Sequence, residues 1–123
     1  MTKAMVVDDS RAMRMFLSKT LTQSGFSVVQ AADGKQGLEL LAQGPDISLV
    51  LVDWNMPEMD GLQFVQRVRS QSALAGVRLM MVTTETEIEQ MARALEAGAD
   101  EYIMKPFTID AIHDKLRLLG VMG

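Results

Sequence analysis

The chain has 123 residues, 48% of them hydrophobic and 23% charged, with no cysteine and a net charge of -4. The length fits one domain over residues 1–123 with a core of its own, and the lack of cysteine excludes disulfides, thiol catalysis and thiolate metal sites. The acidic balance argues against a nucleic-acid surface, the single histidine, His113, excludes a multi-histidine metal site, and neither a membrane span of roughly 18 apolar residues nor a signal peptide is present, so the chain is expected in the cytoplasm.

In chain order, a short apolar run alternates with an amphipathic segment five times. AMVV (residues 4–7) ends in Asp8 and Asp9. Met13, Phe16, Leu17, Thr20 and Leu21 then form a helical stripe, with Ser10 as N-cap and Gly25 just past its end. VVQA (28–31) is short and mixed with polar residues, as suits an edge strand. Gly37, Leu38 and Leu41 make a second, weaker stripe. LVLV (49–52) runs into Asp53, and the turn that follows ends at Gly61. Leu62, Val65 and Val68 come after Asp60, a plausible cap. LMMV (79–82) runs into Thr83 and Thr84, and Ile88, Met91, Ala92 and Leu95 lead to Gly98. YIM (102–104) meets Lys105 and Pro106, and Ile109, Ile112, Leu116 and Leu119 follow Thr108. Most of the eleven methionines are read as core fillers or helix-face residues.

Strands apolar on consecutive residues are buried on both faces. Their alternation with helices predicts an α/β fold, a parallel sheet covered on both sides with right-handed crossovers. Five units suit a flavodoxin-like (βα)5 order, 2-1-3-4-5. In such a sheet, ligands bind beyond the carboxyl ends of the strands at the switch point of strand order. Asp8 and Asp9 end strand 1 and Asp53 ends strand 3. Those strands would be neighbours, about 4.8 Å apart, so three carboxylates converge. Like charges raise one another's pKa and cost stability unless a cation relieves them. An open, all-oxygen site suits Mg²⁺. Thr83 and Lys105 reach the same edge with a hydrogen-bond donor and a compact positive charge, the groups that hold phosphoryl oxygens. Taken singly, each of these residues has a plainer reading as a cap, a turn or a solvated charge. Their joint placement at the ends of four strands points to a site.

The motifs VVDDS, LVDWNMPEMDG, MVTTE and EYIMKPF, in this order and spacing, resemble the receiver domain of two-component response regulators, and most closely its stand-alone, chemotaxis-type (CheY-like) members. The resemblance covers the whole chain. It implies that Asp53 is the phosphoacceptor, taking a phosphoryl group from a phosphohistidine of a partner histidine kinase. It makes Asp9 a direct Mg²⁺ ligand, Asp8 a ligand acting partly through water, and Asn55 the source of a backbone carbonyl to the metal. Thr83 and Lys105 would each hold a phosphoryl oxygen, and Lys105–Pro106 resembles the family's cis peptide. On phosphorylation Thr83 would be drawn in and Tyr102 would turn inward, changing the surface of helix 4, strand 5 and helix 5 over residues 86–118. The only tyrosine also has a plainer role as a half-buried core aromatic.

Some positions depart from the commonest pattern. Thr84 is larger than the usual residue and is expected to restrict access to the site or the aromatic swing. Trp54, the only tryptophan, packs and offers a fluorescence reporter. Glu85 lies where it would tune attack by water. Arg11 and Arg14 open helix 1, the face such receivers often offer to their kinase, though a solvated helix face is the plainer expectation.

The implied partners are a chemotaxis-type sensor histidine kinase and a separate target such as a flagellar motor switch component, with no nucleic acid, no membrane, and a monomer or a weak phosphorylation-dependent dimer. With the chain ending soon after the fifth helix, output is expected from another protein, unless the sequence is a domain excised from a longer one. The domain would then be a switch whose only chemistry acts on itself. A phosphorelay intermediate and a constitutive docking receiver are the alternatives. An aspartyl-nucleophile phosphatase of haloacid dehalogenase type would need a D-x-D motif at strand 1, where Asp8-Asp9-Ser10 stands. A flavodoxin-like cofactor binder would need a phosphate loop where these acids repel phosphate.

Overall fold

The computed structural model describes residues 2–43, 46–84 and 88–121. Five parallel strands, β1 (Lys3–Val7), β2 (Ser27–Ala31), β3 (Ile47–Asp53), β4 (Arg78–Thr83) and β5 (Glu101–Met104), form one sheet in the order β2-β1-β3-β4-β5. They alternate with α1 (Arg11–Gln23), α2 (Gly34–Ala42), α3 (Gly61–Arg69), α4 (Ile88–Ala97) and α5 (Ile109–Leu118). The (βα)5 order is the expected one. Each strand starts one or more residues before its apolar run, because the first residues of a strand need only pair, not be apolar.

Alternation along the central strands divides the core. Ala4, Val6, Leu49, Leu51, Met80 and Val82 point to one face and meet Leu17 and Leu21 of α1 and Ile112 and Leu116 of α5. Met5, Val7, Val50, Val52, Leu79 and Met81 point to the other, where α2, α3 and α4 supply Leu41, Phe64, Val65, Val68 and Ala94. All twelve strand residues are fully buried, which is why these runs read as continuously apolar. β2 sits at an edge, with Ser27, Val28 and Val29 only half-buried. The caps are Ser10, Asp60 and Thr108, as the spacing predicts, with Asp33 capping α2. Asp60 and Gln63 complete a reciprocal capping box.

The stripe expected for α4 is displaced. Among its described side chains Ala94 is the buried one, Met91 is half-buried, and Ala92 and Leu95 face solvent. The helix packs against α3, and Ala94 is its contribution to the core on that face. A reading weighted by side-chain size selects Leu95 instead.

Two glycines are dictated by neighbours. Gly98 has φ +118°, and a Cβ there would stand 2.5 Å from Cγ of Arg69. At Gly61 a Cβ would stand 2.5 Å from the Asp53 carbonyl oxygen and 2.6 Å from Cε of Met81. The Gly61 N–H also donates to the Trp54 carbonyl at 2.9 Å, so α3 starts hard against the end of β3. Gly61→Ala should therefore cost about 2–3 kcal/mol, since backbone has to move. Urea denaturation would measure it, and a cost under about 0.5 kcal/mol would contradict the steric account.

Arg69, at the end of α3, ties four segments together. Its guanidinium donates to the carbonyls of Gly98 (2.9 Å), Leu74 (3.2 Å) and Val77 (2.7 Å) and to Asp100 Oδ2 (2.8 Å). The same Asp100 oxygen accepts the Leu79 N–H at 2.8 Å. No helix among the described residues is long and apolar enough to cross a membrane.

Candidate functional site

Strand register brings the predicted residues to one edge. Val7 pairs with Val52, Asp53 with Val82, and Thr83 with Met104. Asp8, Asp53, Thr83 and Lys105 therefore leave four adjacent strands at nearly the same level. Asp8, Asp53 and Thr83 are buried, and Asp9 is exposed. One oxygen from each of Asp8, Asp9 and Asp53 lies within 4.8 Å of the others. Lys105 Nζ donates to Asp53 Oδ1 at 3.3 Å and stands 4.0 Å from Asp8 Oδ2, too far for a hydrogen bond. The Lys105–Pro106 peptide is cis. The Lys105 N–H donates to the Thr83 carbonyl at 2.8 Å, which joins the ends of β4 and β5.

The two buried acids are only partly satisfied. Asp8 Oδ1 accepts the Ser10 N–H at 2.8 Å, while Oδ2 is buried without a hydrogen-bond partner. A buried carboxylate oxygen with no donor costs free energy unless something positive meets it. Burial raises the Asp8 pKa above the ordinary carboxylate range, the Ser10 N–H opposes this, and the Asp53 charge adds to it. Burial likewise raises that of Asp53, against the charge and hydrogen bond of Lys105 and the Asn55 N–H. Lys105 alone cannot neutralise three acids. An orphan oxygen, two buried carboxylates and an exposed third acid make a donor set that fits a hard divalent cation.

The pH consequence has a definite sign. With raised folded-state pKa values, the folded chain holds more protons than the unfolded chain between the ordinary carboxylate pKa and the raised ones. The two acids therefore subtract stability as pH rises through that window. A divalent cation binds the ionised form, so its stabilisation should grow over the same interval. Thermal melts from about pH 4 to pH 8, with and without Mg²⁺, would test this. The metal increment should be small at the acid end, largest at neutrality and absent in Asp8→Asn. An increment independent of pH, or retained in Asp8→Asn, would refute it.

Around this centre, Asn55 is exposed and Trp54 is buried, its N–H donating to the Val82 carbonyl at 3.2 Å. Thr84 is exposed. Tyr102 is half-buried, with Lys115 Nζ 5.0 Å from its ring centroid. Lys115 also pairs with Glu101 at 3.0 Å. The expectations for Glu85, Thr86 and the side chain of Ile88 lie outside the described residues. A groove of ≈ 390 Å³ between α2 and the β3–α3 loop includes none of the site residues.

Arg14 departs from the expected solvated helix face. It is half-buried, and Nη1 donates to the Asp8 carbonyl at 2.7 Å. Arg11 is exposed, as expected. The local signal for Arg14 is its place one turn inside a helix that begins directly after the acids.

A family model described as "Response regulator receiver domain" matches residues 4–117. The chain is 41% identical over 115 residues to the chemotaxis protein CheY homolog of Campylobacter jejuni, covering 93% of this chain and 88% of that protein. It is 40% identical over 118 residues to the chemotaxis protein CheY1 of Helicobacter pylori, covering 95% of each. Its fold is similar to that of the Vibrio cholerae chemotaxis protein CheY4, with a TM-score of 0.89 at 35% identity, over 96% of this chain and 98% of that one.

Proposed function

The chain belongs to the response regulator receiver family, and from that membership we propose that it is a signalling switch set by phosphorylation of Asp53. The observation that carries the reading is the meeting of Asp53 with Lys105 at 3.3 Å, inside a cluster of three carboxylates within 4.8 Å. A carboxylate so held can serve as a nucleophile, with a cation and two further acids beside it.

An Asp53 oxygen attacks the phosphorus of a phosphohistidine. The P–N bond breaks, its electron pair stays on the imidazole nitrogen, which takes up a proton from water, and an acyl phosphate forms on Asp53. Transfer of this kind depends on positioning and charge stabilisation. Asp8, Asp9, Asp53 and the Asn55 backbone carbonyl would hold Mg²⁺, which when bound neutralises charge on the phosphoryl oxygens. Lys105 pairs with one of those oxygens and the Thr83 hydroxyl with another. In losing its partner Asp53 to the acyl phosphate, Lys105 stays in place and changes only what it neutralises.

Thr83 and Tyr102 would carry the switch: movement of Thr83 toward the phosphoryl group opens space for the Tyr102 ring. The surface of α4, β5 and α5 then changes for a partner. By likeness to chemotaxis proteins, the donor is a chemotaxis-type histidine kinase and the target a component such as the flagellar motor switch. The setting is the cytoplasm, and the only chemistry acts on the chain itself.

The test is incubation with acetyl phosphate, with Mg²⁺ or with a chelator, followed by intact mass and peptide mapping. One phosphoryl increment at Asp53 that requires Mg²⁺ is the expected result. An increment elsewhere, or one indifferent to the chelator, would sink the proposal.

A further inference from the structure

The β1–α1 turn carries two of the three acids, and its first residue is tied at three points. The Asp8 N–H donates to the Ala31 carbonyl at 3.1 Å. The Ser10 N–H donates to Asp8 Oδ1 at 2.8 Å. Arg14 Nη1 donates to the Asp8 carbonyl at 2.7 Å. The third tie differs in kind, since a charged side chain from a helix supplies it. Asp8 lies one residue past the last register pairs of β1, Val7 with Ala31 and Val7 with Val52. The guanidinium takes the carbonyl at the point where the strand ladder ends.

The donor is well anchored. Arg14 lies in the first turns of α1, its own N–H bonded to the Ser10 carbonyl at 2.9 Å. Ser10 caps that helix by accepting the Met13 N–H at 3.3 Å. Helix, cap and acid turn thus form one closed set of hydrogen bonds with Arg14 as the link across it. A charge-assisted bond this short is roughly twice as strong as a neutral one.

We propose that Arg14 is a positioning residue which, through the Asp8 carbonyl, fixes the turn that presents Asp8 and Asp9 to a divalent cation, and so sets the affinity of the site for that cation. The inference rests on the receiver reading of the acidic cluster. It makes a prediction opposite in sign to simple electrostatics. A positive charge beside three carboxylates repels a cation, so if Arg14 acted by charge alone its removal would tighten binding. If it acts by holding the turn, removal weakens binding, as loss of groups that orient metal ligands does.

The measurement is a Mg²⁺ titration of the full chain and of Arg14→Ala, Arg14→Met and Arg14→Lys. Trp54 fluorescence reports binding, and the Mg²⁺-dependent rise in melting temperature reports it independently. Arg14→Ala and Arg14→Met should bind Mg²⁺ about tenfold more weakly, and Arg14→Lys, which can still reach a carbonyl, should recover most of the loss. Arg14→Met keeps the apolar stem and decides the matter if the alanine variant does not fold. Affinity unchanged or tightened in Arg14→Met overturns the role of Arg14. If the parent protein binds Mg²⁺ and accepts a phosphoryl group while the variants match it, only this inference fails. If the parent binds no Mg²⁺, the receiver reading fails and the role of Arg14 with it.

Discussion

Asp53→Asn protein is expected to take up no phosphoryl group from acetyl phosphate, and to be more stable than the parent without metal at neutral pH. The two effects have one cause. The amide keeps the size and shape of the side chain, so the end of β3 and its pairing with β4 should survive. It has no anionic oxygen to attack phosphorus, and losing a covalent nucleophile costs at least about a thousandfold in rate. It also removes one of two buried carboxylates whose charged forms burial disfavours. Lys105 then faces Asp8 with less competition. A gain of about 1 kcal/mol in the absence of metal is the size expected for relieving one such contact. Intact mass and thermal melts on the same samples measure both. Phosphoryl uptake by Asp53→Asn would mean that another group is the acceptor. Loss of uptake with lowered stability would mean that the acid is structural, and that its removal damages the fold.

Arg69→Ala should be the most damaging single change outside the hydrophobic core. It deletes donors to three carbonyls and to Asp100, and the side chain is only 19% exposed. The loss takes donors from half-buried carbonyls and removes the shorter of the two ion pairs of Asp100. Its other ion pair, with Arg78, is longer at 3.8 Å and more exposed. Removing one member of such a network costs about 3 kcal/mol or more, a fall in melting temperature of roughly 10 °C. Arg69→Lys should recover little, because a single ammonium cannot span carbonyls on three segments. Denaturant unfolding of both variants would show it. Full rescue by lysine would mean that charge, and not the fork geometry, is what holds these segments.

The two arginines mark where sequence reading stops. Arg14 and Arg11 look alike at the start of a helix, three residues apart; the place of Arg14 one turn in from the acids is the one local signal, and it does not say that Arg14 is half-buried against the Asp8 carbonyl while Arg11 is exposed. Arg69 looks like a basic residue in the last turn of a helix, a common placement, yet its partners are up to 31 residues away in the chain. The α4 stripe fails for a related reason. Ala92 and Leu95 lie at helical spacing, but the packing of α4 against α3 selects Ala94.

By itself the sequence determined the layers and the edge at which the acids gather; the strand order was only inferred from the number of units, and the strand pairings established it. Those features follow from chain-local physics: period, apolar runs, caps, and the rule that parallel strands end at a common edge. Asp8, Asp53, Thr83 and Lys105 were legible because each directly follows or ends an apolar run. Only the tertiary structure decided that Asp8 Oδ2 is buried without a donor, that Lys105 pairs with Asp53 and stands off from Asp8, and that Arg14 holds the acid turn. The pairing of Lys105 with Asp53 joins residues 52 apart in the chain, and the burial of Asp8 is set by neighbours that meet only when the sheet and its helices close.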